Sequence, residues 1–229
     1  MEEASGTRVD STTHARNLTP GGWSTLPTND TGIIGNGAKC LSNGYQPGPR
    51  FTISDCPTLT SDGKFTFAFW VKTNNLNNGL SEYFNIVAFD SPGSYSSIYF
   101  RVLEDNATWG NYKQFWDLGL GYWDYPGYDD YHGIGFQVDP DDHAWSANTW
   151  HFICIWYDGT GLYLSVDDVL WGSHVGTHGI TQQPNRLRLS EPREGGTCNW
   201  SDEFGIWDFA LSAAQRTYLY NSGNGIALY

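Results

Sequence analysis

The chain has 229 residues, with 25 Asp and Glu against 12 Lys and Arg, for a net charge of −13 at pH 7. That balance argues against nucleic acid and anionic membrane as partners, because phosphate binding needs clustered Lys and Arg. No apolar run approaches the roughly 20 residues of a membrane-spanning helix, so no membrane insertion is expected.

The opening decapeptide MEEASGTRVD is polar and acidic. It lacks the apolar run of a secretory leader, so the chain is expected to be a mature fragment or a protein exported without a cleaved leader. Beyond it, short apolar-alternating runs predict strands at 37–41, 51–54, 65–72, 84–89, 97–103, 114–120, 133–138, 150–157, 162–166, 169–172, 187–190 and 200–207. Turn clusters separate them, such as Ser61-Asp62-Gly63, Asp90-Ser91-Pro92-Gly93 and Asp139-Pro140-Asp141-Asp142. Between 148 and 172 three strands are legible as a meander, with reversals at Asp158-Gly159-Thr160-Gly161 and Asp167-Asp168. One helix is expected over 211–221, with Ser212 as N-cap and Gly223 just beyond. No linker, repeat or low-complexity tract interrupts the pattern, so residues 1–229 read as one domain.

Parity sets the layers. Phe65, Phe67, Phe69 and Val71 share one face of their strand, and Trp200, Phe204 and Ile206 are expected to share one face of theirs. Asp202 has the same parity as Phe204 and Ile206, so it is expected to point inward, where a carboxylate is costly unless paired or coordinated. The run from Phe152 to Tyr157 is apolar on both faces and needs a cover on both. Two readings stand: the long middle segment folds over the outer face, or Trp156 lines a ligand groove. With 27 Gly, 11 Trp, 14 Tyr and 12 Phe, the composition suits a sandwich of short strands.

Several segments resemble the laminin-G-like, concanavalin A-like lectin/glucanase jelly-roll family. Trp150-His151, Tyr157-Asp158-Gly159-Thr160 and Val166-Asp167 match its hairpin, although Asp168 stands where the family prefers Gly. The segment from Asp10-Ser11 to Leu18 resembles an early loop, and Gly35-Asn36-Gly37-Ala38 resembles the approach to the first long strand. Phe65 to Lys72 resembles the Phe-Thr-Ile-x-x-Trp-Val-Lys strand, and Asp202-Glu203-Phe204-Gly205-Ile206-Trp207 with Ala210-Leu211-Ser212 resembles the closing strand. The resemblance implies an all-β, two-sheet antiparallel jelly-roll sandwich with one short C-terminal helix. It further implies that a first strand is truncated or supplied from elsewhere. Relatives often carry a structural calcium where an early loop meets the last strand; by that resemblance Asp10 and Asp202 are the expected Ca²⁺ ligands.

Residues 112–136 interleave aromatic rings with acids: Trp116, Trp123, Tyr125, Tyr128 and Tyr131 with Asp117, Asp124, Asp129 and Asp130. A flat ring stacks on the C–H face of a pyranose, while carboxylates accept hydroxyl hydrogen bonds. Aromatic rings supply that area at low entropy cost. Trp116, Trp123, Tyr125, Tyr128, Asp129 and Tyr131 are therefore the candidate carbohydrate-binding residues. The other reading makes these rings a small core holding an insertion in place.

The glycosidase arrangement of paired carboxylates on one strand face is missing, and adjacent Asp202-Glu203 cannot supply it. No catalytic residue is assigned. The expected role is a non-catalytic recognition or adhesion domain for a cell-surface or extracellular polysaccharide, located outside the cell, on its surface or on a virion. The alternatives are a decoration or adhesion subunit of a virion, filament or extracellular assembly, bound to other protein subunits through the aromatic region or a sheet edge, and a glycan-active hydrolase or lyase. Four cysteines, Cys40, Cys56, Cys154 and Cys198, leave three complete pairings open. Cys40 and Cys56 flank a plausible hairpin and are candidates for a bridge, and mid-strand Cys154 suits a small buried filler.

Overall fold

The computed structural model describes residues 7, 9, 17–21, 26–41, 50–53, 63–74, 84–91, 94–105, 113–123, 131–138, 143, 145–176, 186–192 and 198–228. In chain order the strands are β1 (Thr19–Gly21), β2 (Thr28–Thr31), β3 (Asn36–Leu41), β4 (Arg50–Ile53), β5 (Phe65–Thr73), β6 (Phe84–Ser91) and β7 (Ser94–Asp105). They continue as β8 (Lys113–Trp123), β9 (Tyr131–Val138), β10 (His151–Tyr157), β11 (Gly161–Val166), β12 (Val169–Val175), β13 (Arg186–Pro192) and β14 (Cys198–Trp207). A single helix, α1 (Ala213–Tyr220), follows among the described residues. Two seven-stranded antiparallel sheets result: a first sheet β1-β4-β13-β6-β7-β8-β9 and a second sheet β12-β11-β10-β5-β14-β3-β2.

All twelve expected strands and the helix are present. β1 (TPG) and β2 (TNDT) escaped the sequence reading because neither carries an apolar alternation. They form by pairing to β4 and β3, so their conformation comes from neighbours rather than from propensity.

The sheets pack through one continuous core. Phe51, Ile53, Phe100, Leu118, Val138, Leu187 and Leu189 enter it from the first sheet. Phe65, Phe67, Phe69, Val71, Ile153, Ile155, Tyr157, Leu162, Leu164 and Val166 enter from the second. The expected parity of β5 is therefore observed, and each large side chain so buried is worth about 1.5–3 kcal/mol relative to exposure.

A second cluster lies on the outer face of the second sheet: Ala68, Trp70, Phe152, Cys154 and Trp156. Among the described residues, its cover comes mainly from the C-terminal end of the chain. Tyr220, Leu219, Ala210 and Trp207, from the end of β14 through α1, pack on it, joined by Ile33, Trp150 and Tyr163. Trp70 lies 5.3 Å from the Phe152 ring and 6.0 Å from Tyr220. Trp156 stacks on Tyr163 at 5.0 Å, and the Arg216 guanidinium sits 3.8 Å over Trp156. Trp156 is thus under this roof and does not line an open groove. Burial also pushes the Cys154 thiol up to about 12, which fits its expected role as a small filler. Cys40 is buried as well, while Cys56 lies outside the described residues.

Three devices hold the roof down. Ser212 caps α1, receiving the Gln215 N–H while the Gln215 side chain accepts from the Ser212 N–H. Buried Thr66 of β5 bridges the connector, donating to Phe209 O and accepting from Leu211 N, both at 2.9 Å. Thr217 of α1 donates at 2.7 Å to Asp168 in the β11–β12 turn. That turn places Asp167 and Asp168 at φ 51° and 65°. Both central residues are left-handed, the geometry whose twist suits a two-residue hairpin, so Asp168 adopts the backbone that a glycine would.

The expectation for β14 needs correction. Asp202 pairs with Trp70, and Gly205 pairs with Ala68, so Glu203 and Phe204 of β14 stand opposite Phe69 alone. The extra residue is Glu203, at φ 44°. This bulge reverses the parity. Phe204 and Ile206 pack on the central core, whereas Trp200 and Asp202 stand opposite Lys72 and Trp70 on the outer face. Asp202 is fully buried, but beneath the 32–35 turn rather than between the sheets.

Candidate functional site

The β8–β9 hairpin closes one edge of the first sheet. Leu118 and Val138 are buried, and Phe136 packs on the core, so the even-numbered positions of both strands define the inward face. Trp116 stands directly opposite Val138 on that inward parity. The alternate rungs belong to the outer face: Asp117 opposite Gln137, Gly119 opposite Gly135, Gly121 opposite Gly133, and Trp123 opposite Tyr131. On that outer parity Gln137 is exposed and Gly135 half-buried. Trp123 and Tyr131 are thus the last pair of the ladder, one at each foot of the 124–130 connection. Tyr125, Tyr128 and Asp129 belong to that connection and lie outside the described residues, as does Asp10. The hairpin therefore brings Trp123 and Tyr131 together and sets Trp116 apart from them by register.

Asp202 can be judged directly. Its Oδ2 accepts from Ile34 N at 3.0 Å and its Oδ1 from Glu203 N at 3.0 Å. A Cβ on Gly32 would fall 2.2 Å from Oδ2, so only glycine lets this turn close over the carboxylate. Burial raises the Asp202 carboxyl to about 6, and the Glu203 carboxylate beside it adds to the rise. Glu203 in turn accepts from Leu228 N at 2.6 Å. Both acids thus accept from backbone N–H groups. Among the described residues no group of three or more His, Cys, Asp or Glu gathers to hold a metal ion.

The Trp-His and Val-Asp motifs also gain a structural reason. His151 is buried, with Nδ1 2.6 Å from Asp167 Oδ2 and Nε2 accepting from Ser146 N at 3.3 Å. Trp145 stacks on the ring at 3.9 Å. The other oxygen of Asp167 accepts from Phe152 N at 2.8 Å, so the pair locks the turn to the start of β10. Such a buried, hydrogen-bonded histidine is a brace. A second brace is Asp30, which accepts from Trp200 Nε1 at 2.8 Å, from its neighbour Thr31 N, and faces Lys39 at 3.4 Å. These contacts hold its carboxyl below the usual range. The sequence reading missed the paired glycines of β8 and β9. Their signal was present as Gly119-Leu120-Gly121 and Gly133-Ile134-Gly135, two alternations of equal length flanking the aromatic segment.

The architecture is that of a two-sheet antiparallel jelly-roll sandwich. A family model described as the concanavalin A-like lectin/glucanases superfamily, in its laminin-G-like form, matches residues 46–215, and the chain belongs to this family. Among solved structures it is similar to one of botulinum neurotoxin type C, whose cell entry is described as dependent upon interaction with two ganglioside molecules, with TM-score 0.67 and 15% identity over 93% of this chain and 48% of that one. It is also similar to the binding domain of botulinum neurotoxin DC in complex with SialylT, at TM-score 0.66 and 15% identity over 94% of this chain and 50% of that one. The receptor-binding domain of botulinum neurotoxin type G aligns at TM-score 0.62 and 18% identity over 93% and 48%. The chain spans about half the length of these structures. No curated protein matches it.

Proposed function

We propose that this chain is a non-catalytic recognition domain that binds carbohydrate through the β8–β9 hairpin. The observation that carries the reading is the terminal rung, where Trp123 faces Tyr131 across the ladder and frames a connection containing Tyr125, Tyr128 and Asp129. Aromatic residues paired at neighbouring strand ends supply stacking area, and the acids of the connection accept hydroxyl hydrogen bonds. The family description, the ganglioside interaction of neurotoxin type C and the SialylT complex of neurotoxin DC support a glycan as the ligand class. An extracellular, cell-surface or virion location belongs to the same proposal.

Trp123→Ala with Tyr125→Ala is expected to abolish retention on a glycan array while leaving the melting temperature within a degree or two. An equal loss of stability overturns the reading, because the rings are then core. Calcium at Asp10 and Asp202 is a further part of the proposal, using lone pairs of Asp202 that its two amide partners leave over. A chelator is expected to lower the melting temperature, and no change on chelation removes the metal.

One observation favours a second reading as an assembly module. β12 is an edge strand whose Val169, Leu170 and Val175 are 60%, 55% and 78% exposed. An apolar edge invites strand addition from a neighbouring subunit. A concentration-dependent oligomer in sedimentation supports this reading, and a monomer at all concentrations ends it.

A further inference from the structure

We infer that the outer face of β8 and β9 is a glycine-floored strip that takes a linear, unbranched oligosaccharide lying along the strands. The inference rests on the carbohydrate reading above and deepens it.

The strip follows from register. Two consecutive outer rungs consist of glycine on both strands, Gly119 opposite Gly135 and Gly121 opposite Gly133. Glycine weakens a strand, through backbone entropy and the loss of a side chain to pack. Chance placement of four at matched rungs is a poor account, and β-branched residues there would strengthen the ladder. Paired glycines in a strand mark a place where something approaches the backbone closely.

The ends of the strip differ in chemistry. At one end stands the aromatic rung of Trp123 and Tyr131, extended onto β7 by Tyr95, the register partner of Trp123. At the other stands the polar rung of Asp117 and Gln137, extended onto β7 by Arg101, the partner of Asp117. Rungs on one face repeat about every 7 Å, so aromatic and polar ends lie about 20 Å apart. The glycine floor is only two strands wide, about 5 Å between backbones, bounded on β7 by Tyr99, the register partner of Gly119, and it lies on the edge of the sheet. Such a floor is long and narrow. A single terminal sugar is held in a concave pocket, whereas an extended chain of several rings fits a strip, with one ring on the aromatic rung and hydroxyls on the polar one.

The test uses the whole chain and oligosaccharides of the cello, xylo, laminari and chito series, two to six units long, with a compact branched ganglioside headgroup as comparator. Affinity for one series is expected to rise about tenfold or more between two and five units. Gly121→Thr with Gly133→Thr is expected to keep or raise the melting temperature and to abolish that binding. Gly119→Ala with Gly135→Ala is a milder pair expected to weaken it. Length-independent binding, no binding of any linear chain, or unchanged binding by the threonine variant overturns the strip. A steep loss of melting temperature in both variant pairs also overturns it, since the protein's own chain then fills the face. Trp123→Ala separates the two proposals: if it abolishes headgroup binding while the threonine variant does not, the recognition reading stands and the strip falls.

Discussion

The two sheets treat their outer faces in opposite ways. The second sheet loads its outer face with Trp70, Phe152 and Trp156 and roofs it with the chain's own C-terminal segment. The first sheet, at β8 and β9, places two rungs of glycine on the corresponding face. Both sheets meet the same core on the inside, so the fold does not require the difference. An apolar outer face announces a cover that the chain must supply, while a glycine face announces close approach by something else. Large side chains stabilise the first arrangement, and their absence destabilises the second, which is why only the second needs a functional explanation.

The largest way to break this contrast is to unseat the roof. Trp70→Ala removes the side chain at its centre and is expected to cost about 3–5 kcal/mol, read from the urea midpoint. If the roof is a passive layer, the loss will be below about 1 kcal/mol, and the two outer faces will be energetically alike.

A pH titration in the presence of a chelator, so that no calcium holds Asp202 ionised, sharpens the contrast at the seam of the roof. The Asp202 carboxyl is held at about 6 against an ordinary 3.8, chiefly by burial. The native state therefore binds more protons than the unfolded state between those values, and stability falls as pH rises through them. The contribution is present in full below about pH 4, is lost by about pH 7, and is on the order of 2–3 kcal/mol. Asp30 and Asp158, both held below the usual range, act with the opposite sign, their contributions lost as pH falls below about 4. Asp202→Asn is expected to flatten the difference in urea midpoint between pH 4.5 and 7. An unchanged slope in the variant assigns the dependence to another group.

The smallest effect concerns the tie between turn and roof. Asp168→Gly relieves a left-handed backbone at φ 65° but loses the bond from Thr217. The two terms are each about 1 kcal/mol and oppose one another, so the melting temperature is expected to move by only a few degrees. A large fall makes this tie, rather than ring packing, the main restraint on α1.

Much of the architecture was readable because period-two alternation survives in the long strands. Phe65 to Val71 shows its inward face, and Phe152 to Tyr157 shows two apolar faces and hence the need for a roof. The identity of the roof was not readable. α1 reads AAQRTYLY, with no fully buried residue, and docks through the sides of Leu219 and Tyr220 and through Arg216 stacked on Trp156. The inward placement of Asp202 failed for a different reason. Glu203 carries the bulge at positive φ without a glycine to announce it, and one extra residue swaps the faces of everything before it. Of the candidate site, Trp123 and Tyr131 emerge as register partners because β8 and β9 run on past the expected strand ends at 120 and 133. Trp116 lies on the opposite parity, a point settled only once Leu118 and Val138 are known to be buried.

The roof has one more consequence, for the order of events at the ribosome. Synthesis delivers β5 and β10 well before α1, so the emerging chain holds two finished strands whose indoles have no lid. Unlidded aromatic surface on a nascent sheet is what chaperones bind and what drives clumping when they are scarce. Yield in a chaperone-poor host should therefore track how quickly translation reaches the last turn of that helix, more than it tracks the equilibrium stability of the finished molecule.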